Sequence, residues 1–132
     1  MGLRKNLRAA GRLKKRMNRR ETGAGYEAQA AVWLKEQGFE ILERNFCCRQ
    51  GEIDLIALDG PDLVFIEVKY RRDGRAGHPA ESVGRGKQKR IIRAAQYYCY
   101  KRQIPGNRLC RFDVVSILGD RVEHIRNAFE CV

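Results

Sequence analysis

Several kinds of residue and run are missing from this chain, and each absence removes a class of protein. No window of about 18 or more apolar residues occurs, which excludes a transmembrane helix. The first twenty residues are basic but lack the apolar stretch of a signal peptide. Asn6 stands where a myristoylation signal after Met1-Gly2 needs Ser or Thr. The five cysteines (Cys47, Cys48, Cys99, Cys110 and Cys131) form no CxxC pair, and His78 and His124 have no ligand spacing to them, so a zinc finger is not expected. An odd cysteine count without an export signal predicts reduced thiols in a cytoplasmic protein. Residues 1–20 contain no aromatic side chain, so an arm lying on a membrane would lack its anchors, and no membrane partner is expected. There is no internal repeat.

What is present is a globular composition with a large basic surplus. Of 132 residues, 43% are apolar and 33% charged, enough for one domain with one core. The net charge of +11 points to a polyanionic partner, nucleic acid first. Its distribution says more. Residues 1–20 carry nine basic residues and no acid; 21–68 carry ten acids and three bases; 69–111 carry thirteen bases and two acids; 112–132 carry four acids and two bases. An acid-rich segment therefore sits directly before a strongly basic one.

Periodicity divides the chain into a basic arm, 1–23, and a domain, 24–132. In the arm, Leu3, Leu7, Ala10, Leu13 and Met17 recur at helical spacing, which predicts an amphipathic helix when bound and a frayed or disordered segment when free. Residues 24–37 read as a helix with Ala28, Ala31, Val32 and Leu34 as its apolar stripe and Gly38 as its stop. Strands follow at 39–46, 52–58 and 63–70. Gly74, Gly77, Pro79 and Gly84 punctuate a basic loop over 71–84. A second helix over 85–102 has Ile91, Ala95 and Tyr98 on one face, and two strands, 111–118 and 121–125, complete the domain. The order α-β-β-β-α-β-β predicts an α/β fold: a central mixed sheet of about five strands flanked by helices. Trp33, Tyr97, Tyr98 and Tyr100 read as packing residues.

Strands 52–58 and 63–70 should form an antiparallel hairpin. Pro61 cannot take the positive φ of a type I′ turn, so a four-residue loop, Asp59–Asp62, is expected. Closing it opposes Leu58 with Leu63 and, further along the ladder, Asp54 with Glu67; Lys69 lies two residues on. Two carboxylates facing each other among apolar neighbours are destabilising unless a cation or a proton lies between them. Two carboxylates, a carbonyl and waters suit Mg²⁺ or Mn²⁺. On an exposed sheet face the same residues would make only a Lys69–acid salt bridge.

Gly51-Glu52-Ile53-Asp54-Leu55-Ile56 followed by Glu67-Val68-Lys69 resembles the PD-(D/E)xK nuclease superfamily. More narrowly, residues 22–130 resemble the small bacterial YraN-type proteins, an uncharacterised family with similarity to archaeal Holliday-junction resolvases. Glu27, Asn45, Lys87, the run Arg111-Phe112-Asp113-Val114-Val115, and His124-Ile125 belong to the same likeness. The resemblance implies a restriction-endonuclease-like fold, a metal held by Asp54, Glu67 and the Val68 carbonyl, and a water positioned by Lys69. It also implies that Glu27 supplies the first-helix acid completing many such sites, and that Lys87 and Gln88 occupy the second-helix polar position. Ile53 stands where the superfamily pattern has proline, and Gln50 where this family would have glycine. The homodimer usual for resolvase-like enzymes follows from the likeness alone.

The expected function is metal-dependent hydrolysis of DNA phosphodiesters, selective for structure (branched or junction DNA) because no element for reading bases is present. Arg71, Arg72, Arg75, Lys87, Gln88, Lys89, Arg90 and Arg93 are the expected phosphate-contacting surface. The alternative is a non-catalytic nucleic-acid-binding module on the same fold.

Overall fold

Apolar residues fall on both sides of the central hairpin strands, so these strands need cover on two faces, and two helices supply it. The computed structural model describes residues 7–12, 23–71 and 83–130. Among them the elements run β1 (Leu7–Arg12), α1 (Gly23–Glu36), β2 (Glu40–Cys48), β3 (Gly51–Asp59), β4 (Asp62–Arg71), α2 (Arg85–Lys101), β5 (Cys110–Leu118) and β6 (Arg121–Phe129). The strands form one sheet in the order β1-β6-β5-β4-β3-β2. Only β4 and β5 pair in parallel, and α2 is the crossover between them. The fold is mixed α/β with a helix on each face. No described helix is long and apolar enough to cross a membrane.

The core has two halves. On one face Tyr26, Ala30, Ala31, Trp33 and Leu34 of α1 pack on Leu55, Ala57, Val64, Ile66, Val115 and Ile117. On the other, Ile91, Ala94, Ala95 and Tyr98 of α2 pack on Ile53, Ile56, Leu63, Phe65, Phe112 and Val114. The α1 stripe is rotated from the expected one. Ala31 and Leu34 are buried as expected, but Val32 is exposed, because the indole of Trp33 sets which side of the helix faces the sheet. Gly38 takes a φ of 97° and ends α1, its N–H donating to Lys35 O at 3.0 Å.

Six strands replace the expected five, and the extra one comes from the arm. Residues 7–12 are not helical. They pair antiparallel with β6, from Leu7 opposite Arg126 to Arg12 opposite Arg121. Helical spacing of the arm's leucines misleads here because β6 would otherwise present an unpaired edge, and its hydrogen bonds outweigh local preference. The strand alternates as an edge should: Ala9 and Gly11 are half-buried, Ala10 and Arg12 exposed, and Arg12 Nη1 pairs with Asp120 Oδ2 at 3.2 Å. The rest of the arm, 1–6 and 13–22, and most of the basic loop, 72–82, lie outside the described residues.

Gly11 lies against Trp33: a Cβ there would come 2.8 Å from the indole Nε1. Gly11→Val is expected to lift β1 from Trp33 and cost about 1–3 kcal/mol. Amide exchange in Ala9–Arg12 should quicken with it. Unchanged exchange and an unchanged denaturation midpoint would contradict this packing.

The central hairpin has the expected register, Leu58 opposite Leu63, but a shorter loop. Asp59 and Asp62 are themselves paired, so only Gly60 and Pro61 turn the chain. Gly60 takes the positive φ (59°) and leaves Pro61 the negative one its ring requires, which removes the objection to a two-residue turn.

Candidate active site

Asp54 and Glu67 meet where β3 and β4 part. The β3–β4 ladder runs from Asp59–Asp62 to Leu55–Ile66 and stops there. Beyond it, β4 stays paired only to β5, Glu67 lying opposite Val114. The Val68 N–H donates to Asp54 Oδ2 at 2.8 Å, so a side chain takes over where the backbone ladder ends. Asp54 also hydrogen-bonds Glu67.

A kink in β2 and β3 marks the same level. Arg44 pairs with Leu55 and Phe46 with Ile53, which places Asn45 opposite Asp54, and Asn45 has a φ of 53°. Ile53 and Leu55 are two apart and would share a face in a regular strand. Instead Ile53 packs under α2 and Leu55 under α1, so β3 changes face at Asp54.

Both helices reach this notch by their N-terminal turns. Tyr26 stacks on Tyr70, with centroids 4.0 Å apart, pinning the start of α1 to the end of β4. Glu27, the next residue, hydrogen-bonds Asp54. On the other face, Glu67 is nearly fully buried and its Oε2 is shared by two lysines: Lys69 Nζ at 3.4 Å, and Lys87 Nζ, from the first turn of α2, in closer contact. Glu27, Asp54, Glu67, Lys69 and Lys87 are thus one connected cluster, with the Val68 backbone at its edge.

Burial dominates the protonation of this cluster. It pushes the Asp54 carboxyl up to about 8, the charge of Glu67 adding to the rise. Burial raises Glu27 too, against its hydrogen bond to Asp54. Lys69 is held below the usual lysine range by burial and by the Lys87 ammonium beside it. Burial also pulls on Lys87, but its contact with Glu67 wins and lifts it above that range.

The remaining expected residues scatter around α2. Lys89, Arg90 and Arg93 are exposed, and so is Arg85, which is not among the phosphate contacts expected from the sequence. Arg71 is half-buried at the end of β4. The Gln88 side-chain amide donates to Val83 O at 2.8 Å, tying down the residue before the helix. Arg72 and Arg75 lie outside the described residues.

A second charged cluster lies toward the hairpin-turn end of the sheet, and it is buried. Arg111 grips Asp113 with two bonds of 2.9 Å and also reaches Asp62 and Asp59, both at 3.0 Å. His124 Nε2 lies 2.8 Å from Asp113 Oδ2, and the Asn127 N–H donates to Asp113 Oδ1 at 3.0 Å. Asp113 stays ionised below the usual carboxylate range: burial opposes this, but His124 and Arg111 outweigh it. With Asp113 and His124 both wholly inaccessible, this cluster ties strands together and meets no substrate. Trp33 and Tyr98 are buried packing residues as expected, whereas Tyr100 is fully on the surface.

Fold and site together define a mixed α/β protein with a half-buried carboxylate–lysine cluster, built round the buried Glu67, in a split between its central strands. A family model described as "Uncharacterised protein family UPF0102" matches residues 26–117, which hold the whole cluster. The chain is 45% identical over 114 residues to a UPF0102 protein of Lachnoclostridium phytofermentans, covering 86% of this chain and 97% of that one. It is 46% identical over 119 residues to one of Caldicellulosiruptor saccharolyticus (86% and 100% covered), and 42% over 118 to one of Janthinobacterium sp. (89% and 94%). This chain belongs to the UPF0102 family.

Proposed function

We propose that this protein is a metal-dependent endonuclease of the PD-(D/E)xK type, hydrolysing DNA phosphodiesters with a preference for branched or junction structures. The observation that carries the reading is the meeting of a half-buried Asp54 with a buried Glu67, and Lys69 paired to Glu67. Two acids held in hydrogen-bond contact, one kept protonated by its surroundings, are a costly arrangement that a divalent ion would relieve. Hard carboxylate oxygens fit Mg²⁺ or Mn²⁺. Among the described residues no three Asp, Glu, His or Cys side chains form a metal cage, so Asp54 and Glu67 would hold the ion with the Val68 carbonyl and waters. When bound, the ion supplies an activated water and neutralises charge on the phosphate.

The chain's own residues have distinct parts. Lys69, held below the usual lysine range, is suited to accept a proton from the attacking water or to orient it. Glu27 holds Asp54 from the α1 side. The start of α2 presents Arg85 and Lys87 with no acid in its first turn, and the backbone dipole there also favours phosphate. Lys89, Arg90 and Arg93 extend that surface. Contacts of this kind go to phosphates, which position a nucleic acid without reading its sequence.

The test is cleavage of plasmid, junction and flap DNA with Mg²⁺ or Mn²⁺ by wild type and Asp54→Ala. Divalent-dependent cleavage lost in the variant is expected. No cleavage of any substrate, or equal cleavage by both, would refute the reading. One observation favours the alternative, a non-catalytic nucleic-acid-binding module: Lys87 already pairs with Glu67. That reading requires DNA binding indifferent to divalent ions and to Asp54→Asn.

A further inference from the structure

Lys69 and Lys87 share Glu67 Oε2 but are not equivalent. Lys69 follows Glu67 by two residues on the same strand, so the pleat of β4 holds it on that face. Lys87 comes from another element, and its side chain is 42% exposed against 27% for Lys69. A long flexible stem that is partly solvated can swing away without moving the backbone.

Two features aim Lys87 at the notch. It lies four residues before Ile91, on the same stripe of α2 as Ile91, Ala94 and Tyr98, whereas Lys89, Arg90 and Arg93 are exposed. Gly51 lets α2 come close to β3 at this level: a Cβ there would stand 3.1 Å from Arg90 O. A cation in the first turn of a helix is also opposed by the backbone dipole, so Glu67 is what holds Lys87 inward.

We infer that Lys87 is a built-in counter-ion that competes with a divalent ion for Glu67 and, once displaced, is delivered to a phosphate oxygen of the substrate. This rests on the reading of Asp54 and Glu67 as metal ligands. The ammonium and the ion seek the same oxygen and repel each other there. A nearby phosphate gives the displaced lysine a new partner, so nucleic acid and the ion should strengthen each other's binding. Lys87 is then a positioning residue that couples the two.

The experiment titrates the full-length protein with Mn²⁺ alone, followed by electron paramagnetic resonance, after thermal melting has shown each variant to be folded. Lys87→Met is expected to bind Mn²⁺ about fivefold more tightly than wild type, the upper end of what removing one partly exposed ion pair gives. Lys87→Arg, which keeps the charge, should stay within about twofold of wild type. Lys87→Gln replaces the Met variant if that one does not fold. Equal or weaker Mn²⁺ binding by the uncharged variant, or the same tightening in Lys87→Arg, would overturn the inference. Asp54→Asn separates the levels. If wild type binds Mn²⁺ no better than Asp54→Asn, the metal reading fails and takes the inference with it. If wild type binds better than Asp54→Asn but Lys87→Met matches wild type, the inference alone fails.

Discussion

Asp113→Ala should cost about 3–5 kcal/mol, the range for removing one partner of a buried ion pair. Asp113 accepts two bonds from Arg111, one from the Asn127 N–H, and faces His124 Nε2. Without it, the Arg111 guanidinium keeps only Asp59 and Asp62, and His124 has no polar partner at either ring nitrogen, since its Nδ1 is already buried without one. The consequence should be a fall of about 10 °C or more in Tm, with the urea midpoint falling in step. Lys89→Ala, on the exposed side of α2, should stay within about 0.5 kcal/mol of wild type. A loss below about 1.5 kcal/mol in Asp113→Ala would mean that the network does not hold β5 to β6 and the hairpin turn.

Asp54→Asn should act in the opposite direction on stability and, under the nuclease function proposed above, remove divalent-dependent cleavage. The folded protein holds the Asp54 carboxyl protonated up to about 8, against 3.8 for an ordinary aspartate. A raised carboxyl pKa means that the folded state binds the proton more tightly than the unfolded chain does. The stability it contributes is complete below pH 4 and drains away as pH rises through about 8. Asparagine keeps an oxygen for the Val68 N–H and never ionises. With divalent ions chelated, the variant should match wild type near pH 4 and exceed it by about 1–3 kcal/mol at pH 8. Urea titrations across this range check the sign: a gap that does not widen with pH would rule out the coupled carboxyl pair. Added Mg²⁺ should raise the Tm of wild type and leave the variant unmoved. Under the proposed function, cleavage should fall by about 10³-fold or more, because a catalytic metal ion is worth several kcal/mol to a transition state.

The hairpin that builds the site was legible because strands have a period of two and a loop placed at Asp59–Asp62 already sets Leu58 opposite Leu63, although the turn itself is shorter. Asp54 opposite Glu67 followed from that register alone. The kink at Asn45 and Asp54 was not legible, since nothing in the run Cys48–Asp59 announces that β3 changes face; it depends on a left-handed Asn45 in the neighbouring strand. Lys87 was legible only in part. It looked like one of several cations on α2, yet its spacing from Ile91 and Tyr98 already placed it on the buried stripe. The strand in the arm was hidden for a different reason: β6, its partner, lies at the far end of the sequence. The Arg111 cluster was hidden likewise, because Asp59 and Asp62 approach it only through the parallel pairing of β4 with β5.

The pairing of Leu7 with Arg126 also imposes an order on folding. At a synthesis rate of about 5–20 residues per second, β1 waits roughly 6–24 s for its partner strand to exist. The β3–β4 hairpin closes over a two-residue turn and is complete long before. The hairpin closure is local, whereas the pairing of β1 with β6 spans nearly the whole chain and is of the kind that forms slowly. Until residues 85–101 have been made, the carboxylates of the nascent hairpin lack the lysine that α2 brings to them.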